Sequence, residues 1–208
     1  MTPRLIVDAS NWQRDLNLQL VRQHAQGLYH KATEGTGYVD PFHRQRKQVA
    51  HELGLPFGSY HFARTDGSPL EQADAFLEQA LPLPVEGLLP VLDLEAGDAA
   101  TAQGWARTWL VRVRQESGVW PVVYSYPDYL ARMRLTRTLG NGLWLASYSR
   151  NDGTDHPYMV PRPWRKVRLH QFTNVGRLAG VPMTLDLTHA ARLPFAHPVK
   201  ARLHGYRP

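Results

Sequence analysis

Eight short apolar or β-branched runs, distributed along 208 residues and separated in several places by helix-like segments, restrict this chain to few architectures. They fall at about Leu5 to Ala9, Gly27 to Thr33, Pro56 to Phe62, Leu89 to Glu95, Pro121 to Tyr126, Leu143 to Tyr148, Val167 to Thr173 and Thr184 to Thr188. Asp40 and Pro41 read as the start of a helix with Phe42, Val49, Ala50 and Leu53 on its apolar face and Gly54 as its stop. Ser68 and Glu71 have capping-box spacing and lead into Leu70, Ala73, Leu77, Ala80 and Leu81. A third helix carries Trp105, Trp109 and Val113 at four-residue intervals and ends near Ser117 and Gly118, which makes its tryptophans core residues.

Strands alternating with helices imply a mostly parallel sheet, and eight of them suggest that it closes. After Tyr148 the pattern weakens into Asn, Asp, Gly and Pro, and the stretch from Thr173 to Thr184 is too short for a crossover helix. The expectation is a distorted TIM-like α/β barrel of eight strands with about five helices over residues 1–193. Its last three strands are joined mainly by loops, and a tail over 194–208 packs on the surface. With 43% hydrophobic and 20% charged residues, the composition is that of a globular domain. No apolar run approaches the roughly 18 to 20 residues of a membrane helix, and Met1 to Asp8 offers no apolar signal region. The absence of cysteine excludes disulfides, thiolate metal sites and cysteine nucleophiles. A net charge of +6 favours an anionic partner, but Arg and Lys are scattered with no nucleic-acid motif, so nucleic acid is the weakest option.

The run Leu88 to Glu95 ends in two acids separated by one leucine. In a strand, Asp93 and Glu95 project from one face while Leu92 and Leu94 project from the other. Crowded carboxylates resist ionising together, which raises at least one pKa and yields a protonated acid beside an ionised partner. In barrels, chemistry collects at the C-terminal strand ends. Asp8 ends the first strand and Asp186 lies in the last, and these two strands are neighbours once the barrel closes. Four buried carboxylates without compensating cations would be costly, which argues for function. The alternative is that Asp8 and Asp186 cap turns.

Several further segments stand in a telling order: Val7-Asp8-Ala9-Ser10, Lys31-Ala32-Thr33-Glu34-Gly35, Tyr38-Val39-Asp40-Pro41, Gly58-Ser59-Tyr60-His61-Phe62, Pro90 to Glu95, Pro121-Val122-Val123-Tyr124-Ser125, Leu143 to Tyr148, and Leu185-Asp186-Leu187. In this order and spacing the chain resembles the glycoside hydrolase family 25 lysozymes, the Chalaropsis-type muramidases, over nearly its whole length. The resemblance implies a peptidoglycan hydrolase that cleaves the β-1,4 bond between N-acetylmuramic acid and N-acetylglucosamine with retention. Glu95 would be the general acid, and Asp93 would orient the substrate's N-acetyl group as it attacks the anomeric carbon. A direct carboxylate nucleophile stays open as the competing mechanism. Asp8 and Asp186 would hold the sugar and keep Glu95 protonated by like-charge repulsion.

Tyr60, Tyr124, Trp144 and Tyr148 sit at strand ends as candidate sugar platforms. Gln171 is available to a sugar or to an Asp, whereas Glu34 either binds substrate or braces its glycine-rich loop. His61, facing away from Tyr60, reads as a structural histidine. Where the family usually shows Trp-Gln-Tyr this chain has His170-Gln171-Phe172, a departure that leaves the shape of one wall open. No cofactor or metal is expected, because no His-x-x-x-His or His-Glu-x-x-His helix is present. The expected partner is bacterial peptidoglycan, bound by a monomer without membrane insertion. A single catalytic domain without a leader or wall-binding repeat resembles a phage endolysin held in the host cytoplasm until release, with a secreted bacterial lysozyme as the alternative. Two other readings are a hydrolase of chitin-like polymers and a non-catalytic glycan-binding barrel.

Overall fold

The computed structural model describes residues 2–84, 86–97 and 101–197. In chain order the elements are β1 (Arg4–Ala9), α1 (Leu18–His24), β2 (Gly27–Glu34), β3 (Tyr38–Val39), α2 (His43–Glu52), β4 (Phe57–Phe62), α3 (Pro69–Ala80) and β5 (Val91–Asp93). They continue with α4 (Ala102–Ser117), β6 (Val122–Ser125), α5 (Pro127–Arg132), β7 (Leu143–Ala146), β8 (Leu169–Gly176) and β9 (Leu185–Ala190). The sheet runs β1-β9-β8-β7-β6-β5-β4-β2-β3, and pairing of β1 with β2 closes eight of these strands into a barrel. Among the described residues five helices accompany it, as the sequence implies.

The barrel departs from the expected pattern in three respects. β9 is antiparallel to both β8 and β1, because only a short connection rather than a crossover helix precedes it. The strand expected over Leu89 to Glu95 contracts to Val91–Asp93, although Leu94 N–H still donates to the Tyr124 carbonyl at 3.0 Å and carries the alternation forward to Glu95. The third departure is β3, which folds back on β2 as a small hairpin around Gly35, whose φ is +55°.

Two helix faces also differ. Asp40 caps a turn rather than a helix, since its carboxylate accepts Phe42 N–H at 3.0 Å and Asn11 N–H at 2.7 Å. The face of α2 that turns inward carries His43 and Arg46 beside Ala50, with Val49 and Leu53 packed against the apolar core as the periodicity implies. In α3, Ser68 accepts Glu71 N–H as the capping spacing requires, but Leu70 is 49% exposed. Gln72 is buried in its stead and binds His61 at 3.0 Å. Trp105, Trp109 and Val113 are buried in α4, and Gly118 ends it at φ 75°.

Apolar residues pack in three clusters. One lies between the barrel and α3 and α4, around Phe76, Leu92, Leu94 and Trp109. A second lies under α1 and α2, around Val21, Leu28, Ala50 and Phe57. The third fills the barrel interior, where Ile6, Tyr29, Val91, Val122, Trp144 and Leu169 form a floor. The chain near 194–197 joins that floor: Leu88 bridges to Phe195, Ala196 is buried, and Ala196 N–H donates to the Gly87 carbonyl at 2.7 Å. The rest of the expected tail, 198–208, lies outside the described residues. Among the described residues no helix is long and apolar enough to cross a membrane.

Candidate active site

Side chains alternate along each strand, so the residue two positions beyond each floor residue also points into the barrel, one layer nearer its C-terminal mouth. Moving two places from Ile6, Tyr29, Val91, Val122, Trp144 and Leu169 gives Asp8, Lys31, Asp93, Tyr124, Ala146 and Gln171. All six line one cavity of about 790 Å³. β9 adds Asp186, directly opposite Asp8 in the register, and β4 adds Tyr60 and Phe62. The apolar floor and the polar mouth are thus successive layers of one barrel interior.

Glu95 joins Asp93 in the cavity, and Leu92 and Leu94 are fully buried on the other side, as strand alternation requires. Its position is braced from both flanks. Ser125 Oγ donates to the Leu94 carbonyl at 2.8 Å, and Tyr129 Oη donates to the Ala96 carbonyl at 2.8 Å. Asp8 does not cap a turn. It is 7% exposed, and Gln171 Nε2 donates to both of its carboxylate oxygens at 3.1 Å. Gln171 Oε1 in turn accepts the hydroxyls of Tyr124, at 2.9 Å, and Tyr148. Two tyrosines, an amide and a carboxylate therefore form one polar chain across the strand ends. Oδ1 of Asp93 has no hydrogen-bond partner although it is buried.

Burial raises all four carboxyls. For Asp8 it acts together with repulsion from Asp186 and Glu95, partly offset by the Gln171 hydrogen bond. For Asp93 the second cause is Glu95, partly offset by Lys31. Asp186 is pushed up to about 7 by burial and by the charge of Glu95. Glu95 itself is raised by burial and drawn back by Lys31, so burial, rather than the expected repulsion from Asp8 and Asp186, holds it up. Lys31 is the compensating cation that the sequence did not reveal. It is 8% exposed and bonds Glu34 at 2.9 Å.

The remaining candidates separate clearly. Trp144 lines the floor at 2% exposure, wedged 4.8 Å from the Tyr29 ring and 5.3 Å from Tyr124, with its indole N–H bound to Thr188 at 3.1 Å. Glu34 lies outside this cavity, in a neighbouring one of about 720 Å³, where Lys31 and Arg64 both bind it. Desolvation acts upward on Glu34, yet those two partners hold it below its ordinary value. His61 faces away, fully buried between Thr33 and Gln72 and stacked on Trp109, as a structural histidine should be. His170 does not line the cavity. Alternation along β8 turns Gln171 inward and His170 outward, where its ring centroid lies 3.7 Å from that of Tyr158 and Nε2 donates to the Ser147 carbonyl. Trp12 and Asn174 also border the cavity and were not singled out from sequence. Among the described residues no group of three or more His, Asp or Glu is arranged to hold a metal ion.

Comparison with known proteins agrees with this geometry. The uncharacterized protein YegX of Escherichia coli (strain K12) is 31% identical over 128 residues, covering 57% of this chain and 47% of that protein. The lysozyme of Streptococcus phage Cp-1 is 34% identical over 133 residues, covering 60% of this chain and 37% of that one. This chain spans about half the length, or less, of these two curated relatives. The catalytic domain of endolysin ply40 from bacteriophage P40 of Listeria monocytogenes superposes with a TM-score of 0.80 at 20% identity, covering 91% of this chain and 94% of that one, which establishes a shared fold. The model of the glycosyl hydrolases family 25 matches residues 7–181, a span that opens just before Asp8 and holds every cavity acid except Asp186. With a closed barrel, its acids gathered at one mouth and most of its length matched, the chain belongs to the glycosyl hydrolases of family 25.

Proposed function

We propose that the barrel over residues 1–193 is an N-acetylmuramidase that hydrolyses the β-1,4 bond between N-acetylmuramic acid and N-acetylglucosamine in bacterial peptidoglycan. The observation that carries this reading is the convergence of Asp8, Asp93, Glu95 and Asp186 in one cavity, where burial favours their protonated forms. Glycoside cleavage needs a carboxylic acid that keeps its proton until the leaving oxygen takes it. Glu95, past the end of β5 and the least enclosed of the pair, supplies that proton. Asp93 presents an unpartnered buried oxygen, which is suited to accept the N–H of the substrate's N-acetyl group. That bond turns the acetamide carbonyl toward the anomeric carbon, giving a cyclic intermediate that water opens with overall retention. Asp8 and Asp186 hold sugar hydroxyls, and the Tyr124–Tyr148–Gln171 chain fixes Asp8 in place. The protein acts at the cell wall, where its +6 charge draws it to anionic polymers.

Glu95→Gln tests the assignment. It should keep the wild-type circular dichroism and lose cell-wall clearing by about a hundredfold or more. Clearing at the wild-type rate would refute the role of Glu95. Mass analysis of the released reducing ends should show N-acetylmuramic acid termini, whereas N-acetylglucosamine termini would reassign the bond cleaved.

A further inference from the structure

Trp12 is 83% exposed, an unusual state for the largest apolar side chain, yet the backbone beneath it is tightly tied. Ser10 Oγ accepts Trp12 N–H at 3.3 Å, and Asp40 accepts Asn11 N–H at 2.7 Å. The buried guanidinium of Arg46 donates to the carbonyls of Ser10 and Arg14, each at 3.1 Å, and to that of Gln13. The loop is therefore anchored from α2, and the indole it displays is held ready while most of its surface stays in water. Trp12 borders two cavities at once, the acidic one of about 790 Å³ and the neighbouring one of about 720 Å³ that contains Glu34 and Arg64.

We propose that Trp12 is a stacking platform for a pyranose ring, and that the two cavities it borders take successive sugars of one β-1,4-linked N-acetylhexosamine strand. An indole face complements the apolar face of such a ring, and an anchored loop reduces the ordering cost of binding. Asn11, Glu34 and Arg64 in the second cavity supply donors and acceptors for sugar hydroxyls and amides. This rests on the glycan reading above and extends it: the acidic cavity performs the cleavage, and the second cavity selects for chain length.

Binding of N-acetylglucosamine hexasaccharide to Glu95→Gln, compared with the same variant also carrying Trp12→Ala, provides the test. The expected result is about tenfold weaker binding without the indole, recovered in large part by Trp12→Tyr. In the active protein, Trp12→Ala should raise KM for peptidoglycan by a similar factor, with the effect falling on KM rather than on kcat. Equal hexasaccharide affinity with and without Trp12, or no hexasaccharide binding at all, would overturn the platform. Hydrolysis by wild type together with Trp12-independent binding sinks the platform alone. Trp12-dependent binding without any cleavage of peptidoglycan by wild type sinks the hydrolase reading alone.

Discussion

At the scale of single residues, the site is governed by how much water is removed from four carboxyls and how little positive charge replaces it. Asp186 shows the consequence for stability. Its pKa is raised from 3.8 to about 7, so its folded form favours the proton. The stability it contributes is fully present below about pH 4 and is lost as pH rises through about 7. Asp186→Asn should remove this loss and stabilise the protein at pH 8 by about 1–3 kcal/mol, read from denaturant midpoints. Lys31 acts in the opposite sense on Asp93 and Glu95, lowering both. Lys31→Met should therefore move the alkaline limb of the pH–rate profile to higher pH, and a shift to lower pH would exclude it as the counter-charge. The acids were legible in the sequence because an isolated acid beside buried apolar residues is conspicuous. Lys31 was not, since a lysine on a strand usually reads as surface, and nothing local marks Trp12 as exposed rather than core.

At the scale of elements, the i to i+2 step from floor to mouth is what turns strand periodicity into a site. β4 carries a strict requirement at Gly58, where an added Cβ would sit 2.1 Å from Tyr29 Cε1. Tyr29 is a floor residue against Trp144, so Gly58→Ala should destabilise by about 1–3 kcal/mol or more, seen as a lower unfolding midpoint. An unchanged midpoint would mean that the floor yields more easily than its packing suggests. The parallel strands were legible because each is a compact β-branched or apolar run. The antiparallel direction of β9 was not, because alternation is the same whichever way a strand runs. α1 and α5, at 7 and 6 residues, show too few turns for a helical period to emerge. The inward face of α2 was legible in Val49, Ala50 and Leu53, which pack into the core, but not in Arg46, which lies at a helical position that favours solvent and finds its partners in the loop carbonyls of Ser10, Gln13 and Arg14 and in His30.

At the scale of the whole molecule, charge is divided between the acidic mouth and the later part of the chain. Only 3 of the 18 acids lie beyond residue 129, against 13 of the 24 Lys and Arg. None of these later cations among the described residues lines the acidic cavity, so the proposed association with an anionic wall draws on charges outside it. Raising the ionic strength from low to about 0.5 M should weaken binding of Glu95→Gln to intact walls several-fold while hydrolysis of short soluble peptidoglycan fragments changes less. Equal salt sensitivity for both would place the dependence in the cleft itself. The proposed activity depends on carboxyls that stay protonated near neutrality. The most direct measurement is a side-chain ¹³C NMR titration of the folded protein labelled at its Asp and Glu carboxyls. It should show Asp186 titrating near 7, and Asp8 and Asp93 well above the ordinary carboxylate range. Midpoints near about 4 for all of these groups would contradict it.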